Sequence, residues 1–465
     1  MLNSDTIAAI STPPGKGGIG IVRISGPFAV RIAEEIFEPA QNNLSLRKAK
    51  THTLYFGLIK SRGSVIDEAV VSLMRVPRSY TGEDVVEISA HGGPVVLDRI
   101  LKLCTGKGAR SAKPGEFTFR AFLNGKMDLA RAEAVAELIS SKTELAARAA
   151  VNQLEGALSG RIENWRKQLT GVLSRIEAKL DYAEENISFI TLKEARREIS
   201  GLIRAMDRLI STFNKGKLLS CGMRVAITGK PNTGKSSLLN ALLERERAIV
   251  TEVPGTTRDV TEDMLDINGL PVIISDTAGL RRRAGDIVEK IGHKRSLDAL
   301  KKADLILWLL DSGQKISRGD RFIGGLIKDM DMGRNTFVIL NKCDLPAGIN
   351  SAIAKKTFPF CRKYLKLSAL NGTGVDILEK NIFSFARIGS SSTDETVLTS
   401  QRHLEALTNA QKALLEASAA LEKDPAEEIT AFHMREALFH LGEITGETAT
   451  EEILDNIFSK FCIGK

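Results

Sequence analysis

The sequence predicts a multidomain protein of mixed class, with α/β, α and α+β parts. A phosphate-loop domain with a mixed, mostly parallel sheet is inserted in a helical domain, and a β-rich domain precedes both. Three observations predict this. Gly229-Lys230-Pro231-Asn232-Thr233-Gly234-Lys235-Ser236 reads G-x-x-x-x-G-K-S, between the apolar run Val225–Thr228 and a run of good helix formers from Ser237 to Leu243. Apolar stripes at helical spacing stand on both sides of that region. The first 122 residues instead carry short strand-like runs bounded by Gly, Pro and Ser.

Taken in order, residues 1–122 contain strand candidates at Ile21–Ile24, Thr53–Ile59, Ala69–Met74 and Val85–Ile88. Gly15, Gly17 and Gly20 satisfy G-x-G-x-x-G, but a strand-like run follows where a dinucleotide site needs a helix, so this stretch is expected to be a loop. Residues 123–219 turn helical. Leu169, Val172, Leu173, Ile176 and Leu180 form one stripe, and Ile199, Leu202, Ile203, Met206, Leu209, Ile210 and Phe213 form another. Residues 220–383 alternate apolar strands with helical segments, the pattern of a sheet covered on both faces. Asn268-Gly269 marks an antiparallel hairpin joining Glu262–Ile267 to Leu270–Ser275. A polar run around Ser390–Thr393 reads as a linker, and residues 384–465 return to helix through Leu404, Leu407, Leu414 and Leu415, then Ile429, Phe432 and Leu438.

Bulk properties narrow the class. A length of 465 residues suits about three domains, and 43% hydrophobic with 26% charged residues is the balance of a soluble globular chain. The net charge of +8 suits a polyanionic partner, although a solvated basic surface has the same balance. Five scattered cysteines without C-x-x-C pairs fit reduced thiols and give no zinc signature. Met1–Asp5 lacks a basic leader, and the run Leu305–Leu310 is too short to span a bilayer, so the expected location is cytoplasmic.

The inserted domain carries the chemistry. Its glycines let the backbone turn tightly and aim N–H groups at phosphate, helped by the helix N-terminus. Asn232, Thr233, Gly234, Lys235, Ser236 and Ser237 form this seat, with Lys235 for the β- and γ-phosphates and the Ser236 hydroxyl for Mg²⁺. Thr257, in Gly255-Thr256-Thr257-Arg258-Asp259, is the second Mg²⁺ ligand expected. Asp276-Thr277-Ala278-Gly279 places a carboxylate toward the metal through water and the Gly279 N–H toward the γ-phosphate. Asn341-Lys342-Cys343-Asp344 follows a strand at Thr336–Leu340. The Asp344 carboxylate accepts from guanine N1–H and the 2-amino group together, donors that adenine lacks. Ser368-Ala369-Leu370 closes over the base. These motifs, in order and at strand ends, make the insert a GTP-binding domain. After Gly279 stands Leu280, where a Ras-like protein carries the water-orienting Gln. Another group must position water, and Glu289 is the candidate. The alternative is a slow switch; if turnover is fast, a cation must also supply what an arginine finger contributes, about 10⁵ in rate.

With these residues assembled, the chain resembles the MnmE (TrmE) family of bacterial tRNA modification GTPases. The resemblance spans nearly the whole length through Asp5–Ala9, Thr12–Gly15, Tyr80–Asp84, His91–Pro94, Pro114–Phe117 and the closing Phe461-Cys462-Ile463-Gly464-Lys465. A prenylation box is a poor rival reading of that terminus, given Gly464 and Lys465. The resemblance implies an N-terminal domain that binds 5-formyltetrahydrofolate or a related tetrahydrofolate and forms a homodimer. It implies joint action with the FAD protein MnmG to place a carboxymethylaminomethyl or aminomethyl group on C5 of the tRNA wobble uridine. It implies K⁺ held by Asn232 and by the 251–256 loop, through Thr251, Val253 and Thr256. The water-orienting acid maps to Glu289, but Arg281–Glu289 is one residue longer than the family pattern, which leaves Asp286 open. Folate contacts map to Arg23, Glu87 and Lys126, with Lys465 nearby, and Cys462 is a candidate for chemistry at the C-terminus. A pteridine wants a carboxylate for its N–H groups, and a glutamate tail wants cations. Unaided by the family, Arg23 and Glu87 read as a sheet ion pair and Cys462 as a packed thiol. The basic stretches 102–126 and 355–366 are candidates for tRNA docking. The alternative function is a non-enzymatic, GTP-dependent ribosome-assembly switch. Such proteins carry a compact RNA-binding module after the GTP domain, whereas amphipathic helices return here.

Overall fold

The computed structural model describes residues 5–41, 44–181, 190–245, 263–276, 297–386, 396–421 and 427–465. The chain divides into two compact units, Met1–Ala136 with Gln153–Ile199 and Asn409–Lys465, and Glu137–Asn152 with Ser200–Thr408.

The first unit opens with β1 (Ile7–Ile10), β2 (Gly17–Ser25), α1 (Ala29–Ile36), β3 (Phe37–Pro39), β4 (Thr53–Ser61), β5 (Ser64–Met74), β6 (Val85–Gly92), α2 (Pro94–Gly106), β7 (Arg110–Ser111) and α3 (Glu116–Leu123). These strands form one seven-stranded sheet in the order β3-β4-β5-β6-β2-β1-β7. Alternation decides which residues face the helices. Val22 and Ile24, Val71 and Leu73, and Val86 and Ile88 are buried with Ile32 of α1 and Ile100 of α2. Arg23 and Glu87, one step out of phase and directly paired across β2 and β6, therefore lie on the opposite face.

One expectation for this region needs correction. The glycine-rich stretch is a loop only up to residue 16, because Gly17 and Gly20 belong to β2. At Gly20 a Cβ would stand 2.4 Å from Leu97 Cδ1 of α2, so any larger residue there requires that side chain to shift. The region is β-rich as expected, and its seven-stranded sheet is joined by α1, α2 and α3, whose apolar residues share the sheet core.

The chain continues through α4 (Leu129–Ser140), α5 (Glu144–Leu154), α6 (Ala157–Asp181), α7 (Leu192–Ile210) and α8 (Phe213–Cys221). Leu169, Val172, Leu173 and Ile176 of α6 are buried, as its stripe requires. The second stripe spans a break at Ser211-Thr212, so Phe213 opens α8 rather than closing α7.

In the second unit follow β8 (Met223–Gly229), α9 (Lys235–Arg245), β9 (Asp263–Ile267), β10 (Leu270–Asp276), β11 (Leu305–Asp311), α10 (Arg318–Asp329), β12 (Thr336–Asn341), α11 (Ser351–Thr357), β13 (Lys363–Lys366) and α12 (Val375–Phe385). The six-stranded sheet has the order β13-β12-β11-β8-β10-β9. Only β9 is antiparallel, joined to β10 by Asn268 and Gly269 at φ 54° and 87°, both left-handed as the tight turn demands. Both faces are covered. Leu305, Leu307 and Leu309 of β11 pack with Leu238 and Leu242 of α9 and Leu378 of α12. Ile306, Trp308 and Leu310 pack on the other side with Ile327 of α10 and Phe358.

The chain closes with α13 (Gln401–Ala420), α14 (Glu427–Thr445) and α15 (Glu451–Phe458). On α14 the buried face is Ala431, Met434, Ala437, Leu441 and Ile444, and the sequence-chosen Ile429 and Phe432 are exposed. Ala431 and Ala437 share that buried face with Met434, Leu441 and Ile444, so the helix buries large and small residues together. Lys179–Glu427 and Arg435–Glu177, both 2.5 Å, brace α14 against α6. In α15, Phe458 meets Phe119 of α3 edge-on at 5.1 Å.

Candidate functional site

The phosphate loop lies between β8 and α9. Its turn needs left-handed backbone at Gly229 (φ 148°), Asn232 (φ 65°) and Gly234 (φ 91°). At Gly229 no side chain fits, since a Cβ would stand 2.6 Å from Leu309 O. The Thr233 hydroxyl donates to Lys230 O at 2.9 Å and is buried. The Lys235 ammonium donates to Gly229 O at 2.9 Å and Lys230 O at 2.7 Å, which pins it to the loop. Ser236 and Ser237 are exposed in the first turn of α9, and Asn232 is exposed on the loop. This cradle of glycines, an anchored ammonium and a helix N-terminus suits a polyphosphate with its magnesium.

Asn341, at the end of β12, organises the neighbouring loops. Its amide donates to Thr233 O at 2.8 Å, and its carbonyl accepts from the Ala369 N–H at 2.9 Å. One buried side chain thereby ties the phosphate loop to the Ser368-Ala369-Leu370 loop. Lys342 adopts φ 63° and pairs with Asp311 of β11 at 2.8 Å. The buried Ser368 accepts from the Asn371 N–H through its hydroxyl, while Leu370 is 83% exposed. Asp344 is exposed, with a carboxylate open to a ligand. Asp276 ends β10, in register with Ile227 of β8. Thr251, Val253, Thr256, Thr257, Thr277, Ala278, Gly279, Asp286 and Glu289 lie outside the described residues.

A second constellation forms in the first unit, where the C-terminal residues reach the sheet. Arg23 Nε donates to Glu87 Oε1 at 2.8 Å, and Arg23 Nη1 donates to Gly464 O at 3.1 Å. Ser11 Oγ also donates to Gly464 O, and the Phe117 N–H donates to Lys465 O, both at 3.1 Å. Gly464, at φ 94°, passes so close to β1 that a Cβ would stand 2.4 Å from Ile10 O. The Arg23 guanidinium lies 5.6 Å from the Phe117 ring centre and 5.8 Å from that of Tyr80. Burial pushes the Tyr80 phenol above its usual pKa, against the pull of Thr118 and Arg23. Lys126 Nζ reaches Pro77 O at 3.1 Å, on the loop that leads to Tyr80. Cys462 is exposed, and its carbonyl accepts from the Gly115 N–H.

A model of the GTP-binding protein TrmE N-terminus matches residues 6–126, and a model of the MnmE helical domain matches residues 129–462. The tRNA modification GTPase MnmE of Clostridioides difficile is 44% identical over 466 residues, covering 100% of both chains. The chain belongs to the MnmE family of tRNA modification GTPases. Relatives of the same name from Desulforamulus reducens and Thermoanaerobacter pseudethanolicus are 42% and 43% identical, over 99% of each chain.

Around these sites, this MnmE-family chain has supports that its motifs do not announce. Lys230 of the phosphate loop bonds Ser317 Oγ and Asp320 Oδ2, both at 2.9 Å, at the capping box of α10. In the first unit Arg110 and Arg120 hold Asp5 and Glu116 in a charge network, and Arg120 also reaches Glu83. Burial alone would raise the Glu116 pKa, but hydrogen bonds from Arg110, the Lys113 N–H and Arg120 outweigh it and hold the carboxyl low. Asp5 is held low in the same way by Arg110 and Arg120. The sequence contained one usable signal for Lys230, the Ser-x-x-Asp spacing that starts α10. It contained none for a network joining residues 5, 83, 110, 116 and 120. No described helix is long and apolar enough to cross a membrane.

Proposed function

We propose that this chain is a Mg²⁺-dependent, K⁺-stimulated GTP hydrolase. With an MnmG-type FAD protein, it would place a carboxymethylaminomethyl or aminomethyl group on C5 of the tRNA wobble uridine. The observation that carries the reading is the Asn341 strut, which holds the phosphate cradle and the base-side loop as one seat. Lys235 holds the β- and γ-phosphates, Asp344 selects guanine, and Ser236 with Thr257 holds Mg²⁺. Magnesium, when bound, neutralises charge on the β- and γ-oxygens. Asn232, Thr251, Val253 and Thr256 hold K⁺ in place of an arginine finger. Glu289, or Asp286 in the shifted register, orients the water.

The tail constellation suits a tetrahydrofolate. Glu87 supplies a carboxylate for pteridine N–H groups, while Arg23, Lys126 and Lys465 supply cations for the glutamate tail. Cys462 acts beside this site. The protein works as a cytoplasmic homodimer, and stretches 102–126 and 355–366 contact tRNA. Support for the enzyme over a ribosome-assembly switch comes from the full-length family match and from the helices that follow the GTP domain.

Nucleoside mass spectrometry of tRNA from a deletion strain tests the function, and unmodified wobble uridine is the expected result. Unchanged tRNA together with GTP-dependent cosedimentation on ribosomal subunits favours the switch. GTP turnover in KCl against NaCl at equal ionic strength tests the cation, with equal slow rates removing K⁺ from the proposal. Glu289→Ala is expected to slow hydrolysis while nucleotide affinity holds. If Asp286→Ala does so instead, the register is the shifted one.

A further inference from the structure

Away from both sites, Glu416 of α13 faces His433 and Glu436 of α14. His433 Nδ1 lies 3.3 Å from Glu416 Oε2 and 2.9 Å from Glu436 Oε2. One carboxylate or imidazole atom from each residue lies within 4.8 Å of the other two. A single ring nitrogen carries at most one hydrogen, so it cannot serve both carboxylates with a full hydrogen bond. Two anions converging on one nitrogen are better served by a multivalent cation between them.

The distances fit such an ion. Zinc-class bonds to nitrogen and oxygen are about 2.0–2.2 Å, which sets tetrahedral donor atoms about 3.3–3.6 Å apart around the metal. The 3.3 Å separation to Glu416 meets that range, and the 2.9 Å hydrogen-bond distance to Glu436 has to open by about 0.4 Å as the metal replaces the proton. The glutamate side chains are 46% and 43% exposed, so they are free to rotate and close the remaining edge. The neighbouring Phe432 ring stands edge-on to His433 at 5.3 Å. Imidazole with two carboxylates selects a borderline transition metal over magnesium, which prefers oxygen alone.

The same helix contains a comparison. His440 and Glu443 repeat the His-x-x-Glu spacing seven residues later, with Nδ1 again 2.9 Å from a carboxylate oxygen. Among the described residues this pair belongs to no three-ligand group. We propose that Glu416, His433 and Glu436 bind one divalent transition metal of the zinc class, with water completing its shell, and so clamp α13 to α14.

The test is a cobalt(II) titration of the chelator-treated full chain, with GDP and excess Mg²⁺ present. One equivalent is expected, with visible d–d absorption and no near-ultraviolet thiolate band, which separates this site from the exposed Cys221, Cys343 and Cys462. His433→Ala is expected to weaken uptake beyond the roughly 10–100-fold that loss of an outer-shell partner costs. His440→Ala is expected to keep it, and both variants keep basal GTP turnover. Glu416→Gln, which preserves side-chain volume, is expected to follow His433→Ala with unchanged circular dichroism. Zinc should raise the melting temperature of the parent and not of His433→Ala. No stoichiometric uptake, uptake that survives His433→Ala, or a thiolate band each overturns the proposal.

Discussion

The phosphate loop and the C-terminal tail constellation are built in opposite ways. The loop takes its shape from neighbours in sequence, since Lys235 bonds carbonyls five and six residues before it. The tail site joins residues that are 441 positions apart, as in Arg23 and Gly464. A local site is encoded by backbone chemistry, through glycines and a helix start. A non-local site needs the sheet, α3 and the chain end to be in place first. The first should therefore fail by losing chemistry while the fold persists, and the second by losing packing along with binding.

Lys235→Ala is the sharpest test of that contrast. It should reduce GTP turnover on the order of 10²–10³-fold, the cost of removing one charge-stabilising donor, with thermal stability nearly unchanged. A large drop in melting temperature would erase the distinction. Asp344→Asn should next shift preference from GTP toward xanthosine triphosphate by on the order of 10²-fold or more, read by competitive binding. An unaltered base preference would remove Asp344 from the base-reading role.

Asn341→Ala belongs between the two classes, because it strands Thr233 O and the Ala369 N–H inside the domain. Each unsatisfied buried group costs about 1–3 kcal/mol, so urea unfolding should report a loss of about 2–6 kcal/mol. Gly464→Ala should cost less stability, about 1–3 kcal/mol, because the chain end can detach from β1. Folate affinity, measured by calorimetry, should fall along with it. If binding of a tetrahydrofolate survives, the tail is not part of that site.

The smallest effect expected is on pH dependence in the first unit. Asp5 and Glu116 both have folded pKa values below their unfolded ones. Their contribution is therefore complete above the unfolded values, about 3.9 and 4.3, and is lost as pH falls through the lowered folded values. Urea midpoints between pH 6 and pH 3 should fall, and Glu116→Gln should flatten that fall. An equally steep fall in the variant would assign the acid sensitivity to other carboxylates.

Much of the GTP domain could be read directly because its signals are short-range. The strand before Gly229, the helix after Lys235 and the turn at Asn268-Gly269 each depend on a few adjacent residues. The α1–α3 helices and the exposed placement of Ile429 and Phe432 were not readable in this way. Apolar residues of an α+β core do not state which partner buries them, and on α14 the buried face mixes Ala431 and Ala437 with Met434, Leu441 and Ile444.

By itself the sequence determined the glycine-bounded turn of the phosphate loop and the order of helical and sheet regions, because each rests on local backbone preference and side-chain chemistry. Only the tertiary structure decided that Asn341 spans two loops, that Arg23 holds the chain end beside Glu87, and that Glu416 meets His433. Those pairings depend on where separate elements pack, which burial of the whole core selects and no local window records.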